Sequence, residues 1–96
     1  MRNYYSDYVG HMMRQYLKLK DSDIPEEIAR HNVGICQKVI SALPEAEKSL
    51  VTDFYSIKPS PENIEEVATS NGIRVRNLWV IVKNFEKEVA TERGLI

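Results

Sequence analysis

One cysteine, Cys36, is all the thiol this chain has, so no internal disulfide can form. That suits a reducing cytoplasm, and a cytoplasmic location is expected. Histidine is nearly as scarce. His11 and His31 stand apart, with no cysteine, histidine and carboxylate cluster at metal-ligand spacing. The four glycines form no phosphate-cradling loop. Ser49 and Ser60 lack a nearby base. The carboxylate pairs Glu26-Glu27 and Glu65-Glu66 fall in first helical turns, where the helix dipole accounts for them. These gaps leave catalysis without support, so no enzyme, metal or cofactor is expected. No apolar run approaches the ~20 residues that span a bilayer. Met1-Arg2-Asn3-Tyr4-Tyr5 lacks the apolar core of a secretion signal. No membrane partner is expected either.

Charge of one sign is also missing: the net charge is −1. Its distribution is uneven. Residues 1–43 carry six Lys/Arg and five Asp/Glu, residues 44–73 two and six, and residues 74–96 five and three. The basic excess sits at the C-terminal end, behind an acidic segment. It is thin for a domain that lives on phosphate contacts. With 96 residues, 43% of them hydrophobic and 28% charged, the chain reads as one globular domain with a modest core.

The hydrophobic periodicity predicts an all-α fold of five helices with no strand. The first covers residues 6–20, with Val9, Met12, Met13, Tyr16 and Leu17 as its stripe. The second opens at Ile24-Pro25-Glu26-Glu27 and carries Ile28, Ile35, Cys36, Val39 and Leu43, which makes Cys36 a small core residue. Pro44 opens the third, whose apolar face is Leu50, Val51, Phe54 and Tyr55. Lys58-Pro59-Ser60-Pro61 is a loop, with Ser60 as N-cap and Pro61 as first helical residue of the fourth. Ile64, Val67 and Ala68 point inward there, and Asn71-Gly72 ends it. The fifth runs to about residue 91 and stops at Gly94. Residues 1–43 form an N-terminal helical pair and residues 44–96 a C-terminal unit of one domain.

On the fifth helix Leu78, Val82, Phe85 and Val89 share one side, with Val75 and Ile81 flanking. Arg76, Asn77, Val80, Lys83, Asn84 and Lys87 lie opposite. No acid falls among them, and Glu86 and Glu88 lie on the flanks. A solvated face usually mixes both signs, so this segregation favours nucleic acid over a plain solvated surface. Val80 suits a thymine methyl, and Asn77 or Asn84 suits adenine. Trp79 sits at the core boundary, as core or interface residue rather than stacking platform.

Leu43-Pro44-Glu45-Ala46-Glu47-Lys48, Leu50, Phe54-Tyr55, Glu66-Val67-Ala68, Gly72-Ile73, Leu78 and Val82 carry a resemblance. Residues 39–95 resemble the fourth region of the major bacterial sigma factors and the small phage and mobile-element regulators that share it. The resemblance implies a C-terminal helix-turn-helix and a DNA-binding transcriptional regulator that touches RNA polymerase. Carried over by position, Arg74, Arg76, Asn77, Val80, Lys83 and Asn84 would face DNA; Lys87 joins them from the helical pattern. The chain departs from the family at Asn71, which stands where leucine is usual, and at Arg74, which replaces a small hydroxyl residue. The first forty residues lie outside the resemblance, so a complete sigma factor is not expected. The alternative is a protein-interaction module that kept the fold and turned its surface to a protein partner.

Two features stay open in sequence. Glu26-Glu27-Ile28-Ala29 followed by Gly34-Ile35 echoes the C-terminal pattern, with one extra residue before the glycine. It is either a weak duplication or a glycine that permits close packing or a bend. Tyr4, Tyr5, Tyr8 and Tyr16 form either a dimer surface or, for the last three, a cover over the core with wet hydroxyls. A single recognition helix binds weakly, so a homodimer or help from polymerase is expected.

Overall fold

Five helices carry the described residues, 5–56 and 61–96 of the computed structural model. They are α1 (Ser6–Leu19), α2 (Glu27–Ser41), α3 (Glu45–Ser56), α4 (Pro61–Ser70) and α5 (Val75–Arg93). No strand occurs among the described residues. The β-branched run Val80-Ile81-Val82 is helical because Val82 is fully buried and Ile81 packs on the core. Tertiary burial outweighs the small propensity cost of β-branching in a helix. Pro61 opens α4, where a missing N–H costs no hydrogen bond. Lys58, Pro59 and Ser60 of the predicted loop lie outside the described residues, as does Tyr4.

One apolar cluster joins all five helices. Val9, Met12 and Met13 from α1 meet Cys36 and Val39 from α2. Val51 and Phe54 from α3, Val67 and Ala68 from α4, and Leu78, Val82, Phe85 and Val89 from α5 complete it. α5 packs against each of the other four helices, and α1 against α2, α3 and α5. The N-terminal pair is therefore wedged into the C-terminal unit. No described helix is long and apolar enough to cross a membrane.

The second helix corrects two expectations. Ile28 is 60% exposed, and Ala29, Asn32 and Val33 are buried in its place. The stripe points the right way, but the first turn of α2 lacks a neighbour over that side chain. The echoed glycine pattern is not a turn. Gly34 lies inside continuous α2 without a positive φ, is exposed, and has open space where a side chain would stand. Close packing does not explain it.

Candidate nucleic-acid interface

The turn between α4 and α5 sets how α5 is presented. Gly72 has φ +68°. Its N–H donates to the Thr69 carbonyl at 3.1 Å, and the Ile73 N–H to the Ala68 carbonyl at 3.0 Å. That paired closure, with Ile73 packed on the core, satisfies the last carbonyls of α4. Asn71 has a visible task. Its Nδ2 donates to the Val67 carbonyl at 2.8 Å and to Asp53 Oδ2 at 3.2 Å, tying the turn to α3. Leucine at that position would make neither bond. Arg74 starts α5 in an extended conformation, and its carbonyl takes the Leu78 N–H at 3.0 Å. It makes no side-chain cap bond, so its guanidinium is not spent on the helix end.

Arg74, Arg76, Asn77, Val80, Lys83, Asn84 and Lys87 are all exposed. The last six share the outward side of α5, and Arg74 precedes them at its start. The four cations make no ion pair among the described residues. Val80, at 53% exposure, is one of the most exposed large apolar side chains. Trp79 is half-buried and meets Phe54 edge-on, with ring centroids 5.8 Å apart. It packs across the α3–α5 contact.

Glu86 does not lie on an exposed flank. It is 1% exposed, and its carboxylate accepts from the Ser6 hydroxyl at 2.9 Å and from the Tyr55 hydroxyl at 2.7 Å. α5 is thus pinned by polar bonds to α1 and α3 at one point. Removing this acid from the surface makes the exposed part of α5 more basic than its sequence shows. Glu88 stays exposed, and Glu92 pairs with Lys38 of α2 at 2.9 Å.

A second polar cluster anchors the far end of α5. Arg93 Nε donates to Asn32 Oδ1 at 2.9 Å, and its guanidinium lies 5.8 Å from the Tyr8 ring centroid. Tyr8 is 36% exposed and its hydroxyl faces this cluster, while Tyr5 is buried and Tyr16 packs on the core. Of the three rings expected over the core, those of Tyr5 and Tyr16 pack there, and Tyr8 belongs to this polar cluster instead. Cys36 is fully buried, and burial pushes its thiol up to about 12, which leaves little thiolate for chemistry. Among the described residues no group of histidine, cysteine and carboxylates is placed to hold a metal.

No protein-family model, curated protein or solved structure matches the chain.

Proposed function

We propose that α4, the Gly72 turn and α5 act as a helix-turn-helix, and that the chain binds duplex DNA as a transcriptional regulator. The observation that carries this reading is the outward face of α5. Six exposed residues share it without an acid in their midst and Arg74 stands at its start; the four cations among the seven are unpaired among the described residues. Helices of this kind enter the major groove, with cations on phosphates and shorter polar or apolar side chains on base edges. The mutual packing of α3, α4 and α5 supports the reading, since it holds α5 against two helices and leaves its polar side open. Contact with RNA polymerase and pairing with a second copy belong to the same proposal. Four cations are few, and partners of this sort would supply the missing affinity.

The test is a salt series of binding to random-sequence duplex DNA, with the native chain beside a Lys83→Glu, Lys87→Glu variant. Four phosphate contacts predict a log–log slope of roughly −3 to −4. The variant should lose most of this affinity. Absence of binding at low salt would overturn the reading and pass it to the protein-interaction module. A pull-down with RNA polymerase would then be the next step.

A further inference from the structure

The outward face of α5 is divided along its length. At about 100° per residue, Arg76, Lys83 and Lys87 fall within roughly 40° of one another. Asn77 and Asn84 lie together on the other edge, within roughly 20°. Val80 lies on the seam between them. The cation edge borders Trp79 and the buried Glu86, whereas the amide edge borders exposed Glu88 and then Glu92. Phosphates are drawn to the first edge and repelled from the acids beyond the second.

The amides differ from other asparagines of this chain. Asn32 and Asn71 spend their side chains on bonds inside the protein. Asn77 and Asn84 are exposed and make no side-chain hydrogen bond among the described residues. Each keeps a donor and an acceptor side by side. Adenine offers the complementary pair, N7 and the N6 amino group, in the major groove. Seven residues separate the two amides, about 10 Å along the helix, which matches roughly three base-pair steps. Val80 stands between them, and an exposed valine among polar groups suits the thymine methyl. A single-stranded ligand stacks its bases on aromatic rings, and the six residues of this outward face include none. Duplex RNA hides its major groove from side chains.

We propose, resting on the DNA-binding reading above, that Asn77, Val80 and Asn84 are the specificity residues of α5. They select A·T pairs in the major groove of duplex DNA, while Arg74, Arg76, Lys83 and Lys87 hold phosphates.

The experiment compares binding to duplexes of alternating dA and dT with binding to duplexes of alternating dG and dC, at one salt concentration. The A·T duplex should bind at least about fivefold more tightly. Uracil in place of thymine removes only the methyl, and 7-deazaadenine removes only N7; each should weaken native binding. Val80→Ser should become indifferent to the uracil change, and an Asn77→Ala, Asn84→Ala variant to the deaza change, with the salt slope kept in both. Equal binding to the two duplexes, with a normal salt slope, overturns this inference and leaves DNA binding standing. A preference that survives both base analogues places the contact in the minor groove and overturns it too. No binding to any duplex overturns the underlying reading itself.

Discussion

Glu86 is the residue on which α1, α3 and α5 converge. A carboxylate at 1% exposure survives folding only when its oxygens are satisfied, because desolvation of a charged group costs several kcal/mol. Ser6 and Tyr55 supply two donors from 80 and 31 residues away in sequence. Tyr55→Phe keeps the ring and removes the 2.7 Å bond. It should lower unfolding free energy by about 1.5–3 kcal/mol, the usual loss for a hydrogen bond to a charged group. Urea denaturation measures this, and a loss below about 0.5 kcal/mol would show that the bond is not needed. Nothing local in the sequence exposes the cluster. A glutamate beside an apolar stripe is normally solvated, and only the tertiary approach of α1 and α3 brings in the hydroxyls. Val80 was the easier case, because its place opposite Leu78 and Phe85 follows from helical period alone.

Two glycines at the element scale show how the same residue type takes opposite roles. Gly72 holds φ +68° and closes α4; Gly34 is helical, exposed and surrounded by open space. Gly34→Ala should therefore stabilise the fold by about 0.5–1 kcal/mol, since alanine loses less backbone entropy in a helix. Gly72→Ala should destabilise it by about 1 kcal/mol or more, through strain at positive φ. Thermal melts of the two variants should move in opposite directions; a shared direction would mean that the two positions are not what their backbones indicate. The helix boundaries were legible because their signals are chemical and local: Pro61 at a first turn, Asn71-Gly72 and Gly94 at ends. The exposure of Ile28 was not, since periodicity gives the direction of a stripe but not how far neighbouring helices extend over it. The echo around Gly34 stayed open for the same reason. Composition alone does not say whether a glycine closes a helix or continues it.

At the scale of the whole molecule, the N-terminal helical pair and the C-terminal unit share one core. Fully buried Val9, Met12 and Met13 sit in the same cluster as Val82, Phe85 and Val89, and Ser6 bonds to Glu86 across the boundary. Arg93 returns from the end of α5 to Asn32 of α2. A fragment of residues 44–96 would expose the side of α5 that α1 and α2 cover and strip Glu86 of its Ser6 bond. Chains this short are marginal even when their single core is complete. The fragment should therefore show weak helicity by circular dichroism, no cooperative melt and poorly dispersed amide resonances. A cooperative melt with native-like dispersion would show instead that α3, α4 and α5 fold alone and that the N-terminal pair is an addition. The seven candidate residues bear on the same question. Their exposure follows from α5 alone, but the orientation of α5 depends on all four helices packed against it. The sequence pattern could reveal the face and not the frame that holds it. If the fragment proves unfolded, adding α1 and α2 back should restore helicity and any DNA affinity together, because the same core maintains both.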